Sequence, residues 1–157
     1  MEIIGLAIAA KLAKQGLAVI VLEAEKQTIQ HASSHNSEVI HSGIYYKSES
    51  LKAKFCVEGN RLLYSYCQKK GIDFKRIGKL IIANDLNEKN ALNKLFLNGI
   101  KNGVDGLSVI NKREIINKEP NLNAKYAIFS ETTGIIDSHA FALSLEAEIE
   151  NFGSHII

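Results

Sequence analysis

Residues 5–23 read GLAIAAKLAKQGLAVIVLE, and the reading of that stretch decides the fold class. Ile4, Ala7, Ile8 and Leu12 fall at i, i+3, i+4 and i+8, one stripe of a helix over residues 3–15. Gly16 stops that helix as a C′ glycine does. Leu17 to Leu22 is then a nearly continuous apolar run closed by Glu23, the pattern of a strand covered on both faces in a parallel sheet. Helix, glycine turn and buried strand make the second half of a βαβ unit. The expected fold is therefore α/β and Rossmann-like, with the first strand and its glycine-rich turn missing from the sequence.

Further along, Ser48 or Ser50 can cap a long helix over residues 51–70, closed by Gly71. FKRIGKLIIA, residues 74–83, reads as a strand. Asp85-Leu-Asn-Glu88 is a capping-box pattern for a helix reaching Gly99 or Gly103, and Asn111-Lys-Arg-Glu114 repeats it for a short helix that Pro120 ends. Residues 125–129 and 134–136 look like a pair of strands joined by a turn. Asp137 or Ser138 opens a last helix to Asn151, and Gly153 leads into the strand-like SHII. That ending is again helix, turn and strand, so the expectation is a chain cut at both ends.

Composition narrows the class. A chain of 157 residues with 46% hydrophobic and 23% charged residues is an ordinary globular protein. The formal charge of +2 is spread evenly, and no basic stripe interleaved with aromatics suggests nucleic acid. No apolar run approaches the roughly 20 residues that span a bilayer, and the start lacks the basic region and cleavage site of a signal peptide. A cytoplasmic protein is expected. Cys56 and Cys67 share a helix face and read as reduced core thiols.

Two features carry chemistry. Gly5 and Glu23 stand eighteen residues apart, as do the last glycine of a dinucleotide fingerprint and the acid that accepts hydrogen bonds from the adenosine ribose. Helix packing and a solvated acid would leave the same pattern. The second feature is SSHNSEVIHSGIYY, residues 33–46. His31, His35 and His41 lack the acid or cysteine that would complete a metal set, so no metal is expected. Ser and Asn side chains there can satisfy their own backbone. That explanation does less for His41 beside Gly43, Tyr45 and Tyr46, which suggest a titratable, aromatic-lined ligand contact.

At residues 36–46, NSEVIHSGIYY, with Ser50-Leu-Lys-Ala-Lys54, Cys56-Val-Glu-Gly59, Leu62-Leu-Tyr64 and Gly78-Lys-Leu-Ile81, the chain resembles the L-2-hydroxyglutarate dehydrogenase/oxidase family of FAD-dependent oxidoreductases. The likeness runs in register from GLAIAAKLAKQG to TTGIID at residues 132–137. It implies FAD as cofactor, with Gly5 as the last fingerprint glycine and Glu23 on the ribose. It sets Ser33, Ser34, Asn36 and Ser37 along the pyrophosphate and ribityl chain, and His41, Ser42 and Gly43 near the isoalloxazine ring. His41 is the candidate base or flavin donor, with a histidine bonded to backbone as the plainer alternative.

The resemblance further implies a partial FAD-binding domain over residues 1–73, part of an α+β substrate domain over 74–137, and a return into the FAD domain over 138–157. The implied reaction is oxidation of L-2-hydroxyglutarate, a small 2-hydroxy acid, to 2-oxoglutarate by hydride transfer to flavin, with oxygen or a quinone as electron acceptor. The full-length parent is cytoplasmic or peripheral at the membrane on this reading. The isolated chain is expected to be inactive. The alternatives are a non-catalytic subunit completed by a second polypeptide, a gene remnant, or a related oxidase for another hydroxy or amino acid.

Overall fold

The computed structural model describes residues 2–26, 28–31, 33 and 35–157. They fold as two compact units. Unit 1 takes residues up to Glu38, Cys67–Asp73 and Ile136–Ile157, and unit 2 takes Val39–Tyr66 and Phe74–Ile135.

Unit 1 is built from two helix-turn-strand pairs. Helix α1 (Ile3–Lys14) leads through Gly16, at φ +86°, to β1 (Ile20–Val21). The C-terminal pair mirrors it; β8 is His155–Ile156, and the helix before it, α5, is Ser138–Asn151. β1 and β8 run parallel, Ile20 opposite His155 and Val21 opposite Ile156. The buried Ser154 hydroxyl accepts from the Val19 N–H at 3.1 Å and fixes the approach of the strands. The Asp137 carboxylate caps α5 by accepting from the Ala140 N–H.

Two expectations for this unit are corrected. The face of α1 that packs inward is Leu6, Ala9, Ala10 and Ala13, while Ile4 and Ile8 of the expected stripe are 76% and 57% exposed. Apolar residues surround this helix, so periodicity cannot choose between its faces, and the small alanines allow close packing against α5. The strand after Gly16 is two residues long and buried on the Val21 face alone, with Ile20 and Leu22 exposed.

In unit 2, β2 (Val39–Ile40) is a short strand inside the 33–46 stretch. It pairs with β7 (Gly134–Ile136), which in turn neighbours β3 (Phe74–Lys75). Helix α2 spans Leu51–Lys70, its last turn belonging to unit 1; the Ser50 hydroxyl caps it by accepting from the Ala53 N–H, and Gly71 follows at φ +67°. The expected strand over 74–83 is broken at Gly78, where φ is +72°, so that β4 is Lys79–Ala83. β5 (Leu107–Asn111) was not expected, although Asp105-Gly106 just before it, with Gly106 at φ +65°, is a turn signal. β6 (Tyr126–Ser130) lies between β4 and β5, antiparallel to both. The strands over 126–130 and 134–136 therefore belong to different sheets and do not pair with each other.

Helix α3 (Leu86–Lys101) covers one face of this sheet, with Ile44, Ala83, Leu92 and Ile128 at the centre of the contact. On the other face Ile110, Ala124 and Ala127 pack with Ile115 of α4 (Lys112–Lys118). Ile44 is 2% exposed, so a residue of the polar stretch 33–46 belongs to the core. Gly99, inside α3, makes room for it, since a Cβ there would stand 2.9 Å from Ile44 Cγ1.

Candidate functional site

Residues 41–46 of unit 2 form a turn held by side-chain amides. Asn60 of α2 is buried and donates from Nδ2 to the His41 carbonyl at 3.0 Å and to the Thr132 carbonyl at 2.9 Å. Asn98 of α3 donates to the carbonyls of Ile44 and Tyr46, both at 2.8 Å. Asn102, one turn on, donates to Gly43 at 3.0 Å and to Tyr46 at 2.8 Å. Loop carbonyls that no strand partners are thus satisfied by asparagine amides from α2 and from the C-terminal end of α3.

Below the turn lies a chain of buried hydroxyls. Ser130 Oγ donates to Ser42 Oγ at 3.0 Å and lies 3.0 Å from Thr133 Oγ1. The Ser42 hydroxyl is therefore engaged in the interior. Gly43 adopts φ +96°, and a Cβ there would meet Val57 Cγ2 at 2.9 Å, so the close approach its missing side chain permits is to α2.

His41 is exposed, and its ring takes no hydrogen-bond partner among the described residues; only its carbonyl is bonded. Partial burial first, and the charge of Lys79 second, hold its pKa below the usual histidine range. The imidazole is neutral at neutral pH and able to accept a proton. Lys79 and Thr133 join residues 41–46 around a crevice of about 10 Å³, room for one water. The Lys79 ammonium stands 4.9 Å from the Tyr45 ring centroid and that of Lys52 4.6 Å from the Tyr46 ring. Both cysteines are free, and burial pushes their thiol pKa values up, so neither is an activated nucleophile.

In unit 1, Glu23 follows β1, its N–H donating to the Ile157 carbonyl at 2.8 Å and its Oε1 accepting from the Glu25 N–H at 3.1 Å. Beside it opens a cleft of about 480 Å³ with Thr28, Ile29, Leu143 and Ile156 in its walls. Gly5 sits in the first turn of α1. Ser33 lies over the start of that helix, its hydroxyl accepting from the Ile3 N–H at 3.3 Å and its N–H donating to the Glu2 carboxylate at 2.6 Å. The bonds from Ser33, its hydroxyl foremost, hold the Glu2 carboxyl below the usual range. Asn36 closes its own turn, donating to the Ser33 carbonyl and accepting from the Glu38 N–H, each at 2.6 Å. Ser37 is exposed, and Ser34 lies outside the described residues.

Unit 2 thus gathers His41, Ser42 and Gly43 around one turn, and unit 1 sets Ser33 over the start of α1, the helix that carries Gly5 in its first turn. Asn60, Asn98, Asn102, Lys79 and Ser130 were not singled out from sequence. The i, i+4 asparagine pair on α3 was the available signal, but polar residues at helical spacing also describe a solvated face.

Among the described residues no helix is long and apolar enough to cross a membrane. The family model described as FAD dependent oxidoreductase matches residues 3–157. The chain is 46% identical over 157 residues to the mitochondrial L-2-hydroxyglutarate dehydrogenase of Homo sapiens, covering 99% of this chain and 34% of that protein. It is 45% identical over 143 residues to the Arabidopsis thaliana enzyme of the same name, covering 91% of this chain and 30% of that one. The chain therefore spans about a third of the length of these curated relatives. Among solved structures, L-alpha-glycerophosphate oxidase from Mycoplasma pneumoniae with FAD bound superposes with a TM-score of 0.92 at 27% identity, over 99% of this chain and 42% of that one. Glycine oxidase from Geobacillus kaustophilus shares the fold, with a TM-score of 0.84 at 20% identity over 99% of this chain and 44% of that one. With its match running from residue 3 to residue 157, the chain belongs to the FAD dependent oxidoreductase family.

Proposed function

We propose that the whole protein oxidises L-2-hydroxyglutarate to 2-oxoglutarate. The observation that carries the proposal is the 46% identity with L-2-hydroxyglutarate dehydrogenases along this entire chain. The proposal assigns turnover to the whole protein and not to these 157 residues alone.

The residues present fit FAD. Glu23 borders a cleft of about 480 Å³ lined also by Glu25, Glu146 and Glu150 and by Ile29, Leu143 and Ile156, so Glu23 can accept from ribose hydroxyls while the apolar side chains among these acids offer surface for a base. Gly5 and Ser33 stand at the start of α1, where a helix N-terminus favours phosphate, and Ser34, Asn36 and Ser37 continue the same segment. We assign residues 1–73 and 138–157 to FAD binding and 74–137 to the substrate domain. When bound, FAD supplies the two-electron acceptor for the hydride at substrate C2. His41 takes the hydroxyl proton as the C2–O bond becomes a carbonyl. Its depressed pKa supports that role because the proton-accepting form is present at neutral pH. The backbone of Ser42 and Gly43, fixed by Asn102 and the buried hydroxyls, holds the turn in place beside His41.

A second reading, oxidation of another hydroxyl-bearing anion, draws on the 27% identity with L-alpha-glycerophosphate oxidase. Anaerobic reduction of the flavin in the purified full-length protein separates the two. Bleaching by L-2-hydroxyglutarate, and not by its D-enantiomer, L-α-glycerophosphate or glycine, supports the first. Bleaching by L-α-glycerophosphate alone, or a preparation without flavin, overturns it. Oxygen uptake against reduction of a soluble quinone then assigns the electron acceptor.

A further inference from the structure

We propose that Lys79 holds the C1 carboxylate of the 2-hydroxy acid whose hydroxyl faces His41. The inference rests on the oxidation proposed above and adds a residue that neither the family match nor the sequence pattern assigns.

Strand alternation places the side chain. Along β4, Lys79, Ile81 and Ala83 point to one face, and Ile81 and Ala83 pack there against Ile44. Leu80, one residue on, packs on the opposite face with Ile110 and Ile115. Lys79 is thus delivered to the side of the sheet on which the 41–46 turn sits. Gly78, at φ +72°, ends the preceding segment and bonds its N–H to the Thr133 carbonyl at 2.9 Å, so the start of the strand is fixed.

The surroundings are receptive to an anion. Lys79 lines the crevice with His41, Tyr45 and Thr133, and no carboxylate lines it. Among the described residues no acid pairs with Lys79; its ammonium rests near the Tyr45 ring instead. A cation without a counter-charge, next to an aromatic face, retains its full capacity for a carboxylate ligand. The crevice has room only for a water, so the ligand lies on its lip, which the exposed His41 and the half-buried Lys79 both line. In a 2-hydroxy acid the C1 carboxylate and the hydroxyl are borne by adjacent carbons. A base at the hydroxyl therefore requires a carboxylate partner close by, and Lys79 is the cation that shares this crevice with His41.

The test uses the full-length protein with Lys79→Met and Lys79→Arg, and Lys89→Met as a control outside the crevice. Lys79→Met should raise the KM of L-2-hydroxyglutarate and of L-2-hydroxybutyrate alike by about 10- to 100-fold, the loss of one charge-assisted bond to a ligand carboxylate. Lys79→Arg should recover most of that loss, and Lys89→Met should leave KM unchanged. Calorimetric titration with oxalate gives a second measure, independent of turnover, and Lys79→Met should weaken its binding by a similar factor. Unchanged KM and unchanged oxalate binding in Lys79→Met overturn the subsite while leaving the oxidation intact. A rise in KM for the dicarboxylate alone also overturns it, by moving Lys79 to the distal carboxylate. A wild-type protein that binds oxalate through Lys79 but oxidises no 2-hydroxy acid upholds the subsite and overturns the reaction.

Discussion

Replacing Asn98 tests whether the asparagine ladder on α3 holds the 41–46 turn. Its amide donates to the Ile44 and Tyr46 carbonyls, and its Oδ1 accepts from Ser48 Oγ at 3.0 Å. Each such bond contributes about 0.5–1.5 kcal/mol net. In Asn98→Ala the Ser48 hydroxyl can turn to water and the Tyr46 carbonyl keeps Asn102, but the Ile44 carbonyl is left above a core residue. Alanine returns roughly 0.6 kcal/mol of helix propensity. The expected net loss is about 2 kcal/mol. Asn98→Asp keeps the shape but replaces the donor with a charge facing two carbonyls, so it should cost more than alanine. Because both asparagines share the Tyr46 carbonyl, the Asn98→Ala/Asn102→Ala pair should cost more than the sum of the singles. Urea unfolding followed by tyrosine fluorescence reads all four proteins, with the midpoint shifting at constant slope. A loss under about 0.5 kcal/mol for alanine, or an aspartate milder than alanine, would refute the ladder as the support of the turn.

Three further outcomes are expected. Gly43→Ala forces a side chain into φ +96° and against Val57, and should lower stability by about 1–3 kcal/mol in the same assay; a neutral effect would mean the turn relaxes freely. Asn111 closes a full capping box with Glu114, so Asn111→Ala should cost about 1 kcal/mol and loosen α4, measured by hydrogen exchange at Arg113 and Glu114. The His41 pKa is depressed in the folded state, so its contribution to stability is present above the unfolded value near 6.5 and is lost as pH falls through the folded value. In an NMR titration, Lys79→Met should raise the His41 midpoint only part of the way to that value, since burial is the larger cause; an unmoved midpoint would contradict the pairing of the two residues.

What could be read from the sequence follows from how local each determinant is. Ser50 and Gly71 bound α2, and Asn111 and Glu114 open α4, because caps are satisfied by residues a few positions away. The inward face of α1 was misread because its apolar residues point all round, and the choice is made by alanines meeting α5. The partners of β6 and β7 lie far along the chain, so adjacency suggested a hairpin where the two strands enter separate sheets. In the candidate site, His41 stood out through its neighbours in sequence. Lys79 and the asparagines reach it only through strand register and helix packing, which no local pattern records.

The notch at Gly99 has a consequence for protein engineering. Ile44 plugs that notch, while Asn98 and Asn102 grip the carbonyls of residues 43, 44 and 46. The turn is therefore indexed to the helix residue by residue, as a key is cut to a lock. A library that varies the exposed side chains at Tyr45 and Lys47 leaves the indexing intact. One that inserts or deletes a single residue between Gly43 and Tyr46 shifts three carbonyls off their donors at once. Selections of variants at this loop should accordingly enrich substitutions and return almost no changes of length.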